Sequence, residues 1–355
     1  MPLDKDTHYF LQLLRCGLKS TLSPATEEAV SPESWEHIYR IAANQGVCAI
    51  VWDGVQRLPK ERQPPLQMRL RWALTVEQQE KRYRRQQQTA SALAARFAAN
   101  GLRMLVLKGI GAGEDYPIPS HRECGDIDIY SFGEAERADR ILQEAGAQLY
   151  CDVPKHSEYL WQGVQIENHR TILNVRRNRT ERELEALLTG LLKQEGTHDA
   201  GGGMEVPRAT FNAIFLIRHA AVHFAKEGIN VRHLCDWACF LERHREEIDL
   251  RQFESAMTAY RMDRFAALMT AAAVRYLGAG IPEPEHDAAN LARFMQEILA
   301  TGPQPDKPAA KLYRKLFGPL HNRWRLRYVL RTPLRRFYCD TIRAQWNEKF
   351  TVFKL

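Results

Sequence analysis

The sequence predicts an α+β fold, with a small group of strands in the middle of the chain flanked by helical segments at both ends. Three observations carry that expectation. Short apolar or alternating runs cluster between residues 104 and 169. Apolar residues recur at helical spacing before residue 100 and after residue 205. Pro and Gly punctuate the junctions where one pattern gives way to the other.

An N-terminal helical segment is expected over residues 1–100. Phe10, Leu13, Leu14 and Leu18 share a helix face within residues 7–30. Ser31-Pro32-Glu33-Ser34 reads as a helix start, with Pro early and a carboxylate in the first turn. The helix it opens carries Trp35, Ile38, Tyr39 and Ala42 and stops near Gly46. After a loop marked by Pro59, Pro64 and Pro65, a long helix runs from Leu66 to about Asn100, with Gly101 just past its end. Its middle, from Glu77 to Gln88, is almost wholly polar, and fits either a solvated face or the wall of a phosphate-rich cleft.

The core is expected over residues 101–195. Met104–Leu107 is an apolar strand that runs into Lys108-Gly109 and a short helix over Ile110–Tyr116. A loop with Pro117, Pro119 and Ser120 then delivers His121 and Arg122 to a second strand, Asp126–Ser131. Residues 134–145 form an amphipathic helix, with Ala138, Ile141, Leu142 and Ala145 on one face and Gly146 at its stop. Three more strands follow at Gln148–Tyr150, Glu158–Trp161 and Val164–His169, the last two joined by a hairpin turn at Gln162-Gly163.

Beyond the strands, Arg176, Arg177, Arg179 and Arg182 crowd a helix start, either as a clamp for an anion or as solvated partners of Glu181, Glu183 and Glu185. Thr197-His198-Asp199-Ala200-Gly201-Gly202-Gly203 has the composition of a flexible linker and places a module boundary there. A C-terminal helical domain is expected over residues 205–300, with helices at Phe211–Phe224, Leu250–Leu277 and Ala288–Leu299. His219 and His223, and Cys235 and Cys239, each lie four apart on helices, a spacing that suits zinc but more often marks core packing.

Charge is distributed unevenly. The net charge is +7, yet residues 307–355 hold thirteen Lys and Arg against Asp340 and Glu348, so the rest of the chain is net acidic. This basic tail, residues 301–355 with Trp324, Tyr328, Phe337 and Trp346 interleaved, can bind nucleic acid, lie on an anionic surface or cover the protein's own acidic surface. The last reading is favoured by the opposite charge of the remaining chain. No segment approaches the ~18 apolar residues of a membrane span. The acidic N-terminus lacks a secretory core, and seven scattered cysteines make no disulfide framework. A cytoplasmic protein with reduced thiols is expected.

The chemistry is concentrated in Gly125-Asp126-Ile127-Asp128. Alternation along a strand puts both carboxylates on one face, roughly 7 Å apart. They form either a solvated strand end or, with Lys108 nearby, a site where a hard cation bridges like charges. In the last strand Gln165, Glu167 and His169 share the polar face.

Leu107-Lys108-Gly109, Tyr116, Arg122 and Gly125-Asp126-Ile127-Asp128 resemble the uncharacterised bacterial nucleotidyltransferases of the DNA polymerase beta-like superfamily. Leu-Lys-Gly stands where the superfamily usually has Gly-Ser. The resemblance covers roughly Ser31–Leu277 and includes His219, His223, Arg232 and Leu234-Cys235-Asp236, where Asp236 is spaced to pair with Arg232.

The resemblance implies a small mixed sheet enclosed by helices, with Asp126, Asp128 and Glu167 as catalytic metal ligands for Mg²⁺ or Mn²⁺. Lys108, Gly109, Arg122 and His169 would bind substrate, and His156 also falls at a matching position. An acceptor hydroxyl would attack the α-phosphorus of a nucleoside triphosphate such as ATP and expel pyrophosphate. The acceptor stays open among sugar phosphate, small alcohol, protein side chain and RNA end. Two rival classes are a non-catalytic nucleotide or metal binder, and a nucleic-acid-binding protein acting through residues 307–355.

Overall fold

The computed structural model describes residues 3–19, 30–176, 178–302, 323–329 and 339, and its centre is a seven-stranded mixed sheet. The strands are β1 (Leu105–Val106), β2 (Ile127–Tyr130), β3 (Gln148–Asp152), β4 (His156–Trp161), β5 (Val164–His169), β6 (Thr197–Asp199) and β7 (Glu205–Pro207). Their order is β3-β4-β5-β2-β1-β7-β6, with β2 parallel to β5, β1 parallel to β7 and the other neighbours antiparallel.

Helices pack on both sides. Before the sheet come α1 (Lys5–Leu18), α2 (Pro32–Asn44), α3 (Cys48–Gln56) and the 34-residue α4 (Leu66–Ala99). Ser31 caps α2, its hydroxyl accepting from the Ser34 amide at 3.2 Å, as the Ser-Pro-Glu-Ser start predicts. Within the sheet region lie α5 (Ile110–Gly113), α6 (Ala135–Glu144) and α7 (Arg179–Gln194). After it follow α8 (Ala209–Lys226), α9 (Val231–His244), α10 (Leu250–Ala259), α11 (Asp263–Leu277), α12 (Ala288–Leu299) and α13 (Arg323–Val329).

The sheet sits between two apolar cores. On one face Ile127, Ile129, Tyr159 and Ile166 pack with Leu93 and Phe97 of α4 and Ala138 and Leu142 of α6. Leu105, Leu107 and Tyr130 join the larger core built mainly by the N- and C-terminal helices. Asn168, fully buried, ties β5 to α6 by donating to the Ala135 carbonyl at 2.9 Å and to Asp139 at 2.8 Å.

The Gln162-Gly163 turn has positive φ at both residues, 52° and 73°, the backbone of the tight hairpin turn that matches strand twist. Its antiparallel register sets His156 against His169 and Glu158 against Glu167. In the parallel pair β2/β5, Asp128 stands opposite Glu167. Slipping that register by one residue would turn Glu167 to the other face.

The structure corrects two expectations and divides one helical stretch. Residues 197–207 are a hairpin, β6–β7, not a linker. Gly201, Gly202 and Gly203 all take positive φ to make its turn, and β7 extends the sheet alongside β1. Leu250–Leu277 is two helices, broken at Tyr260–Met262 where Arg261 has φ 60°. The helix after Gly109 ends at Gly113, well before Tyr116.

Of the basic tail, α13 docks on the protein. Arg325 pairs with Glu297 of α12 and lies over the Phe224 ring of α8, and Trp324 stacks under Arg293. The rest of residues 307–355, Cys339 apart, lies outside the described residues. Among the described residues no helix is long and apolar enough to cross a membrane, and all seven cysteines are free thiols.

Candidate active site

The polar face of β2, β4 and β5 looks into a cavity of about 410 Å³ roofed by α8. Sheet pairing alone brings the acids together. Asp128 and Glu167 are cross-strand neighbours, and Asp126 lies two residues before Asp128 on the same face. One carboxylate oxygen from each of Asp126, Asp128 and Glu167 can be chosen so that all three lie within 4.8 Å of one another. The three acids expected from the sequence therefore converge.

Three carboxylates this close need positive partners. Lys108 Nζ is 3.0 Å from Asp128 Oδ1, and His169 Nε2 donates to the same oxygen at 2.9 Å while lying 3.4 Å from Glu167 Oε2. Burial opposes ionisation of Asp128, which is 1% exposed, but Lys108 and His169 hold its carboxyl well below the usual carboxylate range. Burial likewise opposes charge on Lys108 and His169, and their acidic neighbours raise both pKa values. A hydrogen bond from His169 lowers the pKa of Glu167.

For Asp126 the Lys108 charge offsets only part of the cost of ionisation. Burial, together with the adjacent Asp128 charge, pushes its carboxyl up to about 6. Asp128 Oδ2 is buried without a hydrogen-bond partner. Buried polar atoms are rarely left unmatched, and a half-satisfied carboxylate beside two others suits an oxygen-liganded divalent cation such as Mg²⁺. The donor set fits that ion.

Gly109 sits where the chain turns from β1 into α5 with φ 67°, and a Cβ there would meet Cys124 Sγ at 2.9 Å and the Asp126 carbonyl at 3.2 Å. A side chain at this position would push the Lys108-bearing turn away from the segment that carries Asp126 and Asp128. Gly109 thus lets Lys108 lie against the carboxylates.

His121 and Arg122 form their ion pairs with acids of the flanking helices, although Arg122 also lines a second cavity with Lys108, Gly109 and Asp126. His121 bridges Asp53 at 2.7 Å and Glu80 at 3.1 Å, fastening α3 to α4. Arg122, buried, forks onto Asp236 of α9 through Nε at 2.9 Å and Nη2 at 2.8 Å, and the Tyr116 hydroxyl donates to the same carboxylate at 2.5 Å. The expected Arg232–Asp236 pair is replaced by this long-range one, while Arg232 donates to the Glu123 carbonyl at 2.9 Å. Sequence spacing favours the local partner, but the 3₁₀ turn at Pro119–His121 delivers Arg122 to Asp236 instead.

Of the remaining cavity residues, Lys155 and Lys226 carried no sequence signal, whereas His219 and His223 were marked by their spacing and by the family resemblance. Lys155, in the turn before β4, lies on the wall beside Asp128 and Glu167, and burial lowers its pKa. From α8, Arg218, His219, His223 and Lys226 form the opposite wall. His219, His223 and Lys226 follow one another at steps of four and three, which places them on one helix face, and Arg218 adjoins His219. Arg218 pairs with buried Glu181 of α7. Cys235 and Cys239 are buried on α9 among apolar neighbours, the packing role expected of them. In the basic cluster, Arg179 pairs with Glu183 at the surface, 2.6 Å apart.

A family model described as "Uncharacterised nucleotidyltransferase" matches residues 31–278, more than half of the 355-residue chain. No curated protein and no solved structure matches the chain.

Proposed function

The chain belongs to the uncharacterised nucleotidyltransferase family, and from that premise we propose that it transfers a nucleoside monophosphate from a nucleoside triphosphate to a hydroxyl acceptor, with release of pyrophosphate. The observation that carries this reading is the convergence of Asp126, Asp128 and Glu167 in one cavity beside Lys108.

Asp126, Asp128 and Glu167 would hold divalent ions, Mg²⁺ in the first instance. When bound, such ions supply Lewis acidity and lower the pKa of a hydroxyl near the α-phosphorus. The protein's own groups do the rest. The sheet fixes the three acids in register, so no rearrangement is needed to present them. Lys108, Lys155 and Arg218 bring positive charge to the cavity walls, where a triphosphate carries its negative charge. Gly109 keeps Lys108 close to the acids, and Arg122 acts indirectly, holding α9 and hence the roof through Asp236.

The test is direct. Thermal-shift measurements with each of the four nucleoside triphosphates, with and without Mg²⁺, should show stabilisation by at least one nucleotide only when Mg²⁺ is present. Pyrophosphate release with that nucleotide and a panel of hydroxyl acceptors should follow and should be abolished in Asp126→Asn. Nucleotide binding without pyrophosphate release across the panel, equal in wild type and variant, would favour a non-catalytic binder instead.

A further inference from the structure

We propose that His156, Glu167 and His169 form a transition-metal position that takes Mn²⁺ through two imidazole nitrogens and a carboxylate, adjoining the aspartate pair and sharing Glu167 with it. The inference rests on the placement of these side chains and does not depend on the transfer reaction proposed above.

The three residues occupy one patch of a single hairpin. His156 pairs with His169 across β4/β5, and Glu167 lies two residues before His169 on the same face. One ligand atom from each residue can be chosen so that the three lie within 4.8 Å of one another. His156 Nδ1 is 3.6 Å and His169 Nε2 is 3.4 Å from Glu167 Oε2. Ligands at the usual metal–nitrogen and metal–oxygen lengths of about 2.1 Å stand roughly 3.0–3.5 Å from one another, so a cation fits with little movement.

The hydrogen bonds point to an ion. His156 Nε2 lies 3.0 Å from Glu158 Oε1, and because a carboxylate only accepts, that nitrogen holds the proton. Nδ1 is left with its lone pair facing the Glu167 carboxylate, buried and without a hydrogen-bond partner. Two acceptors facing each other repel unless a cation lies between them. Carboxylate, histidine and metal in that sequence is the common way a protein orients an imidazole ligand. His169 Nε2 holds a proton, which it donates to Asp128 Oδ1, while Nδ1 has no hydrogen-bond partner; on metal binding the Nε2 proton would leave to solvent or move to Nδ1, and the freed Nε2 lone pair would ligate the ion. Asp128, whose Oδ1 meets His169 Nε2 at 2.9 Å, likewise has its Oδ2 buried without a hydrogen-bond partner.

Donor chemistry selects the ion. Mg²⁺ keeps oxygen ligands and water, whereas two imidazoles with a carboxylate favour first-row transition ions. Mn²⁺ is the member of that series most at ease with the surrounding oxygens.

Pulsed electron paramagnetic resonance of the full chain loaded with Mn²⁺, with and without ¹⁵N-histidine labelling, tests this. The expected result is nitrogen-14 modulation from histidine that changes to the nitrogen-15 pattern on labelling and persists in a tenfold excess of Mg²⁺. Glu158→Gln should weaken Mn²⁺ binding about 10- to 100-fold, as loss of a partner that orients a ligand does, while the melting temperature of the metal-free protein stays close to wild type. Mn²⁺ bound without histidine coupling, or displaced by equimolar Mg²⁺, overturns the proposal. The two readings fail separately. Nucleotidyl transfer with Mg²⁺ alone and no histidine coupling sinks this site and leaves the function standing, and coupling without transfer does the reverse.

Discussion

Asp128 and Asp236 are both hidden from solvent, at 1% and 8% exposure, yet they are matched in opposite ways. Asp236 meets the two-pronged Arg122 guanidinium and the Tyr116 hydroxyl, so a single negative charge has a full complement of donors. Asp128 shares Lys108 and His169 with Glu167 while Asp126 stands next to it, and one of its oxygens meets nothing. A buried carboxylate that is fully paired fastens one element to another. Several buried carboxylates with too few partners retain a capacity to bind, and that surplus separates a site from a strut.

Substitutions can break this contrast. The largest effect expected is on turnover. Asp128→Asn removes a proposed metal ligand, and if the ion supplies several kcal/mol of transition-state stabilisation, activity should fall on the order of 10³-fold, as measured by pyrophosphate release. Arg122→Ala should instead act on the fold, lowering the urea-derived unfolding free energy by about 3–5 kcal/mol because it strands a buried carboxylate.

Divalent ions should then sharpen the contrast. At a hundredfold excess over its dissociation constant, Mg²⁺ or Mn²⁺ should stabilise the wild type by about 2.7 kcal/mol, and chelation with EDTA should reverse the gain. Asp128→Asn should forfeit that stabilisation, whereas Arg122→Ala should still show it.

The smallest effect is linked to pH. The Asp126 carboxyl is raised from 3.8 to about 6 in the folded chain, so folding takes up a proton between those values. Its favourable contribution is complete below the unfolded value and is lost as pH rises through the folded one. In EDTA, unfolding measured at pH 4 and pH 8 should show Asp126→Asn gaining on the wild type at the higher pH. The reverse ordering would mean that the acids are already balanced by the protein itself.

Much of this was legible in the residues. Val164, Ile166 and Asn168 alternate with Gln165, Glu167 and His169, so β5 and its acid-bearing face followed from period two. The span of α4 followed from Pro65 before it and Gly101, at φ 68°, after it. The β6–β7 hairpin was not legible, because three-residue strands carry almost no periodic signal and three consecutive glycines imitate a linker. Nor was the partner of Asp236. Arg122 is 114 residues away in sequence, and only the assembled fold brings it closer than the local Arg232. Convergence of Glu167 on the aspartates is of the same long-range kind, and here a motif resemblance supplied what spacing lacked.

The two-residue strand β1 bears on how the protein can be dissected. It is held between β2 and β7, and β7 comes from beyond residue 200. A fragment cut at residues 101–195 would leave one flank of β1 bare and would part the Arg122 guanidinium from its counter-ion Asp236. A piece that keeps these contacts therefore has to run past α9, and the family match to residues 31–278 includes both β7 and α9.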